Sequence, residues 1–321
     1  MNKQFIKDLK VGNAVNSQFV VLNIREYPFS SPARSGESFL ILQLGDISGT
    51  IKGVIWERAL IKDPIYPNDV LQIKGEVGEY DGPQLVIRNF KKMKLEEVHR
   101  ENFQAVSPRN REKMWDMLLN LVDQNVKEEN LRELLKVFFS DEELVEKFKI
   151  SPAAKIIHHN YLGGLLEHTL EVVEICLQAT KLYPSELDRS LLVTAAILHD
   201  IGKVEEYDSQ SFIFEQTDKG RLLGHITIGL EILRGLLAKV PQFPENIKIQ
   251  LEHALISHHG EKEWGSPEIP KTFESFTLFH ADLFSARLKQ FQQIMTDEKG
   301  SASWTSWDRF LKRKIYTGFD S

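Results

Sequence analysis

The chain has 321 residues, of which 42% are hydrophobic and 27% are charged, with a formal net charge of −6. This composition is typical of a folded globular protein with room for two domains, and the negative charge excludes a general electrostatic attraction to nucleic acid. No segment approaches the roughly 18 apolar residues of a membrane span, and the start is too charged for a secretory signal, so we expect a cytoplasmic protein with no membrane partner.

The first part of the chain has the pattern of a small β domain. Five short runs rich in β-branched and aromatic residues are separated by turns of Gly, Pro, Asp and Ser. These runs lie at 20–29, 38–48, 49–57, 69–80 and 83–93. Five strands in so short a stretch indicate a closed or nearly closed barrel, and a β-sandwich is the alternative.

From about residue 107 the hydrophobic period becomes that of helices. Three helical segments lie before Pro152, and five amphipathic ones follow at 163–183, 189–202, 222–240, 244–260 and 273–291. The sequence therefore predicts a multidomain β + α protein. It has an N-terminal five-stranded barrel, a helical connector and a C-terminal all-α bundle.

Each of the five later helices carries a histidine or aspartate among small or apolar neighbours. These residues are His168, His199, His225, His258 and Asp282. Helices of one bundle can bring such side chains together in its core. The only cysteine, Cys176, lies at core spacing, so the predicted ligands are imidazoles and carboxylates. This set suits a divalent ion such as Mn²⁺, Fe²⁺, Co²⁺ or Zn²⁺.

The order of His168, His199-Asp200 and Asp282 resembles that of the HD-domain metal-dependent phosphohydrolases. Together with HHNYLGGLLEHTLEV, LLVTAAILHDIGKVEEY and FHADLFSARL, it makes the chain similar to the YhaM-type 3′→5′ exoribonucleases. The resemblance implies an OB-fold nucleic-acid-binding domain at 1–98, a helical connector at 99–150 and an HD phosphohydrolase domain at 151–321. It also implies hydrolysis of single-stranded RNA from the 3′ end to nucleoside 5′-monophosphates, with single-stranded DNA as a further substrate left open.

The same resemblance implies two divalent ions. One ion would be held by His168, His199, Asp200 and Asp282, and the other by His225, His258 and His259, with Asp200 bridging. We expect Mn²⁺ first, with Co²⁺, Fe²⁺ and Zn²⁺ open, and occupancy by a single ion is also open. One departure is that the third position after Asp282 lacks the acidic residue often found there.

The catalytic candidates are Asp200 and Lys203. The resemblance implies that Lys203 lies near the scissile phosphate and neutralises its growing charge. The alternative is a lysine that only complements the dipole at a helix C-terminus.

Several residues are candidates for substrate binding. His158 and His159 precede the first ligand helix, the loop at 260–272 offers Trp264 and Lys271, and the barrel offers Phe39 and Trp56. Aromatic side chains that stack on bases and cations that meet phosphates are what a single strand requires. The alternatives are a polar start of a helix, a solvated loop and aromatic core residues.

Two other functions stay open. A small-molecule HD phosphohydrolase would act on a nucleotide or cyclic nucleotide, but VEEY follows Lys203 in place of the Gly-Tyr-Pro of the cyclic-dinucleotide enzymes. A non-catalytic nucleic-acid-binding protein would use its metal only as a structural ion, with no open coordination position. A homo-oligomer formed through the connector is also open.

Overall fold

The computed structural model of the protein describes residues 3–154, 161–208, 211–212, 214–298 and 303–318. These residues form two compact units. The first comprises the residues up to 105 together with 211–212, and the second comprises the other described residues from 106 onward. The three-part division into 1–98, 99–150 and 151–321 stays a prediction.

The first unit is a five-stranded closed barrel, so the predicted OB-type barrel is confirmed and the β-sandwich is wrong. The strands are β1 (Ala14–Pro28), β2 (Ser38–Asp46), β3 (Gly49–Ile55), β4 (Val70–Glu79) and β5 (Pro83–Lys92). Their order around the barrel is β1-β2-β3-β5-β4. All neighbouring pairs are antiparallel except β3 and β5, which are parallel, and β1 closes the barrel by pairing with β4.

The barrel closes around side chains that alternate along its strands. Phe19, Leu42 and Leu71 are fully buried in its core, and removal of such apolar surface from water drives the closure. Gly75 lies at the bulge in the pairing of β4 with β5. A Cβ there would be 2.2 Å from the carbonyl oxygen of Val86. Only glycine permits this approach of the two backbones.

The described part of the second unit contains helices only, with isolated β-bridges. The helices are α1 (Arg111–Asn125), α2 (Glu129–Phe139), α3 (Glu142–Ile150), α4 (Gly164–Leu182), α5 (Arg189–Leu198), α6 (Lys203–Glu206), α7 (Asp218–Leu237), α8 (Glu245–Ser257) and α9 (Phe273–Asp297). Several begin at a capping side chain: Asp188 accepts from the backbone N–H of Leu191, and Thr272 forms a capping box with Ser275. None of the described helices combines the length and the apolar character of a membrane span.

One apolar core joins the helices of the second unit. Phe138 of α2, Leu165 of α4, Leu192 of α5 and Leu278 of α9 are all fully buried in it. Because α1 to α3 contribute to this core, they pack against the helices that carry the candidate ligands.

Two helices differ from the sequence prediction in ways that matter for the site. The helix predicted at 189–202 ends at Leu198, and a turn leads into the short α6. The helix predicted at 222–240 starts at Asp218 and is kinked at Gly224, whose φ is 70°. His199 and Asp200 therefore lie in a turn, and His225 lies directly after a kink.

Candidate metal centre

Six of the predicted ligands converge in the core of the helical unit. His168 lies within α4 and Asp282 within α9, whereas the other four follow a helix end or a kink. These four are His199, Asp200, His225 and His258. His168, His199, Asp200 and His258 are almost completely buried, which requires that their polar atoms be paired or bound.

The first subsite lies on one side of Asp200. His168 Nε2 lies 3.0 Å from Asp282 Oδ1 and 3.6 Å from Asp200 Oδ2. His199 Nε2 lies 3.4 Å from the same oxygen of Asp200. Two imidazole nitrogens and two carboxylate oxygens thus face a common point.

The second subsite uses the other oxygen of the same carboxylate. His225 Nε2 and His258 Nε2 each lie 3.6 Å from Asp200 Oδ1. His259 completes this subsite, because a ligand atom from each of the three histidines lies within 4.8 Å of the others. Asp200 therefore lies between two groups of imidazoles.

The outer nitrogens of these rings contact backbone oxygens. His199 Nδ1 donates to the carbonyl of Ala196 at 2.8 Å, and His258 Nδ1 donates to the carbonyl of Leu255 at 2.6 Å. A carbonyl oxygen only accepts, so each ring carries a proton on Nδ1, and in the neutral ring the lone pair on Nε2 points inward. Histidines that bind metals in proteins are commonly oriented in this way.

The other histidines have side-chain or loop partners. His225 Nδ1 lies 3.3 Å from Oε2 of Glu206, and His259 Nδ1 lies 3.2 Å from the carbonyl oxygen of Trp264. His168 Nδ1 lies 3.0 Å from Oγ of Ser285. All five rings are therefore contacted at Nδ1, which leaves Nε2 for the centre.

Three buried polar atoms of the centre indicate that it can bind a divalent ion. Asp200 Oδ1, His225 Nε2 and His258 Nε2 are buried and have no hydrogen-bond partner among the described residues. Buried polar atoms of folded proteins are nearly always satisfied, so three such atoms facing one another need an explanation. A cation that accepts electron pairs from all three provides one, and the donor set suits a first-row divalent metal.

The charge states also suit a cation. Burial lowers the pKa of His258, and burial together with His258 and His225 lowers the pKa of His259 to about 3, so both rings are neutral near pH 7. Burial alone would raise the pKa of Asp200, but Lys203 and His199 outweigh it and hold that pKa well below its usual value. Burial alone would lower the pKa of His199, but Asp200 and Asp282 outweigh it and raise that pKa. A cation must therefore compete with a proton at His199, because neutral imidazoles and ionised carboxylates are the forms that bind metal.

Lys203 is buried beside the same carboxylate. Its Nζ donates to Asp200 Oδ2 at 2.5 Å. The geometry therefore brings a cationic side chain to the edge of the first subsite, where it can compensate negative charge.

The predicted substrate-binding residues occupy different places. Trp264, with 51% of its surface exposed, lies in the turn whose backbone contacts His259. The exposed Lys271 pairs with Glu268 at 3.4 Å. His158 and His159 lie outside the described residues.

Phe39 and Trp56 belong to an aromatic cluster on the barrel. Their ring centroids are 4.8 Å apart, and Phe29 and Tyr27 lie 5.0 Å and 5.9 Å from Phe39. The guanidinium of Arg34 lies 3.5 Å from the centre of the Phe29 ring. We call these four aromatic residues the barrel aromatic cluster.

Sequence reasoning missed the side chains that contact the ligands from outside. Glu206 and Ser285 contact His225 and His168, and Glu171 contacts Ser285. A signal was present, because Glu171 lies three positions after His168 and Ser285 three positions after Asp282. Residues three apart on a helix share a face.

The chain is similar to several known proteins. A family model described as HD domain matches residues 165–287. The 3′-5′ exoribonuclease YhaM of Bacillus subtilis (strain 168) is 32% identical over 266 residues, which cover 82% of this chain and 83% of that protein. The protein of the same name from Listeria monocytogenes serotype 4b (strain CLIP80459) is 31% identical over 306 residues, 93% of each chain. A domain of replication protein A from Methanococcus maripaludis aligns with a TM-score of 0.26 at 19% identity, over 29% of this chain and 97% of that domain.

The matched HD segment contains every candidate ligand from His168 to Asp282. The YhaM relatives match far beyond that segment, over most of the chain. The chain therefore belongs to the YhaM 3′-5′ exoribonuclease family.

Proposed function

We propose that this protein is a metal-dependent 3′→5′ exoribonuclease that releases nucleoside 5′-monophosphates from single-stranded RNA. One observation carries the proposal. The two oxygens of Asp200 each face a separate group of imidazole nitrogens at 3.4–3.6 Å, and Oδ1 has no hydrogen-bond partner among the described residues. A carboxylate in this position would hold one ion with each of its oxygens, as a hydrolytic centre with two metal ions needs.

The ligand set assigns a role to each subsite. His168, His199 and Asp282 would hold one ion, His225, His258 and His259 the other, and Asp200 both. When bound, a pair of divalent cations supplies Lewis acidity to the phosphate and makes water nucleophilic near neutral pH. We propose two ions, with Mn²⁺ as the first choice among Mn²⁺, Co²⁺, Fe²⁺ and Zn²⁺, since the ligands include no sulfur.

The chain's own residues would complete the chemistry. Lys203, now 2.5 Å from Asp200 Oδ2, would turn to the phosphate as negative charge grows on its oxygens. Trp264 would stack on a base beside His259, and Lys271 would contact a phosphate from the same loop.

The barrel would capture the strand before hydrolysis. Phe39 and Trp56 are half-buried in the barrel aromatic cluster and retain exposed ring area, which suits stacking on unpaired bases without sequence preference. Linking a binding module to a hydrolytic one raises the local concentration of substrate at the centre. Single-stranded DNA stays open as a further substrate. The cytoplasmic location and the homo-oligomer stay predictions.

Digestion of end-labelled RNA tests the proposal. The protein is incubated with 5′-labelled or 3′-labelled single-stranded RNA, with Mn²⁺ or with a chelator. We expect mononucleotide to appear at once from the 3′ label and a ladder of shortening products from the 5′ label. Both should be absent with chelator and with Asp200→Ala.

The other outcomes of the same assay contradict the proposal in distinct ways. Hydrolysis of free or cyclic nucleotides with no action on RNA would indicate the small-molecule phosphohydrolase. Binding of RNA with no turnover on any metal would indicate the non-catalytic protein with a structural ion.

A further inference from the structure

His168 differs from the other ligand histidines in its outer contact. The Nδ1 atoms of His199 and His258 face carbonyl oxygens, which only accept a hydrogen bond. His168 Nδ1 instead lies 3.0 Å from the hydroxyl of Ser285. A hydroxyl both donates and accepts, so this contact alone leaves two tautomers open for the His168 ring.

Glu171 removes this ambiguity. Ser285 Oγ donates to Glu171 Oε2 at 2.7 Å, which uses the only proton of the hydroxyl. Ser285 must then accept from His168 Nδ1, so the proton of the neutral ring lies on Nδ1. The lone pair on His168 Nε2 is left for the centre, on the side where Asp282 Oδ1 lies at 3.0 Å.

The arrangement follows from helical spacing. Ser285 lies one turn after Asp282 on α9, and Glu171 lies one turn after His168 on α4. Each helix therefore contributes one ligand and one residue that supports a ligand. Lys289, one turn further along α9, places its Nζ 4.0 Å from Glu171 Oε1.

We propose that Ser285 and Glu171 are positioning residues that hold His168 in the tautomer required by the ion of the first subsite. Ser285 connects the carboxylate of Glu171 to the imidazole of His168 through hydrogen bonds. It lies three positions after Asp282, where the family often has an acidic residue. The inference rests on the proposed metal-dependent function. It adds to the proposed centre two residues that would contact neither the ions nor the substrate.

Ser285 and Glu171 line a cavity of about 1040 Å³, together with Glu174 and Phe284 among others. Ser285→Thr keeps the hydroxyl, whereas Ser285→Ala removes it. Glu171→Met has a side chain of similar length but lacks the carboxylate that accepts from Ser285. Glu174→Gln is a matched control, since Glu174 lines the same cavity one turn from Glu171 with no hydrogen bond to a ligand histidine among the described contacts.

Titration of the full-length, metal-free protein with Mn²⁺ tests the proposal, with bound ion followed by electron paramagnetic resonance. We expect Ser285→Ala and Glu171→Met, which removes the acceptor of the Ser285 proton, to weaken one of two Mn²⁺ sites by about 10-fold to 100-fold, the range for lost outer contacts of metal-binding histidines. Ser285→Thr and Glu174→Gln should bind as the wild type does. A general loss of structure would not be rescued by threonine.

Each other result counts against the proposal. Wild-type affinity at both sites in Ser285→Ala and Glu171→Met would overturn it while leaving the proposed function intact. A wild-type chain that binds no ion would overturn both. Should Ser285→Ala fail to fold, Glu171→Met decides the question alone, because the methionine side chain cannot take the place of the carboxylate as the acceptor of the Ser285 proton.

Discussion

Gly202 lies directly against the backbone of His225. A Cβ at position 202 would be 1.9 Å from the carbonyl oxygen of His225 and 2.5 Å from the backbone nitrogen of Gly229. Both obstacles are backbone atoms, so Gly202→Ala must push α7 away from the turn that carries Asp200. We expect it to lower the free energy of unfolding by about 1–3 kcal/mol, as overpacking does, and to displace His225 from its subsite.

Thermal unfolding and Mn²⁺ retention measure these two effects. Gly235→Ala is the control, because a Cβ at Gly235 in the same helix meets nothing within 4 Å. That variant should be as stable as the wild type or slightly more so. Equal stability of Gly202→Ala and the wild type would show that the close approach does not constrain α7.

Glu206 supports the second subsite through His225. Its Oε2 lies 3.3 Å from His225 Nδ1, and the side chain is buried. Glu206→Gln removes the negative charge behind the imidazole, so we expect the ion at the second subsite to bind about 10-fold more weakly. Calorimetric titration with Mn²⁺ measures this affinity.

The neighbouring Glu205, which pairs with Lys219, provides the control Glu205→Gln. An equal loss of Mn²⁺ affinity in Glu206→Gln and Glu205→Gln would argue against a specific role of Glu206.

A buried ion pair makes the helical unit sensitive to acid. Glu167 is 2% exposed and accepts from Lys289 Nζ at 2.7 Å and from Ser107 Oγ at 2.5 Å. Burial alone would raise the pKa of Glu167, but these contacts outweigh it, and the pKa lies below its usual 4.5. A lowered pKa gives stability that is present above 4.5 and is lost as the pH falls through the folded-state value.

Glu167→Gln removes the contribution to stability that depends on the ionisation of Glu167. We expect it to lower the free energy of unfolding at pH 7 by about 1–3 kcal/mol, because Lys289 loses its charged partner. Below the pH at which Glu167 protonates, the difference from the wild type should shrink. Urea unfolding between pH 7 and pH 3 measures both effects, with Glu174→Gln as the exposed control on the same helix. A difference that stays constant with pH would contradict the assignment.

The barrel aromatic cluster offers a test of strand capture. Phe39→Ala and Trp56→Ala each remove a ring on which a base can stack, so we expect single-stranded RNA to bind more weakly by about 1–3 kcal/mol per ring. Fluorescence anisotropy of a labelled oligonucleotide measures this in an Asp200→Ala background, where hydrolysis is blocked. Tyr66, an exposed aromatic residue of the same unit outside the cluster, gives the control Tyr66→Ala. Unchanged affinity in both test variants would exclude the cluster as a binding surface.

The sequence predicted those features that depend on local periodicity. Runs of β-branched and aromatic residues between turns located all five strands, although β1 begins at Ala14, six residues before the predicted start. The parallel pairing of β3 with β5 and the closure of β1 on β4 could not be predicted, since pairing partners leave no local pattern.

For the candidate site too, the sequence predicted the residues whose position depends on regular helical periodicity. His168 and Asp282 lie within regular helices, so their apolar neighbours indicated that they face inward. The position of Asp200 between the two groups of imidazoles depends on the end of α5 at Leu198, and the position of His225 depends on the kink at Gly224. Helical periodicity reports neither these breaks in helical geometry nor the close approach of Gly202 to His225.

The central claim is that Asp200 joins two ion subsites. The most direct measurement is anomalous scattering from a crystal of the protein equilibrated with Mn²⁺. We predict two peaks, one among His168, His199 and Asp282 and one among His225, His258 and His259, each bonded to a different oxygen of Asp200. A map with no peak in this cluster, or with peaks that do not contact Asp200, would contradict the account.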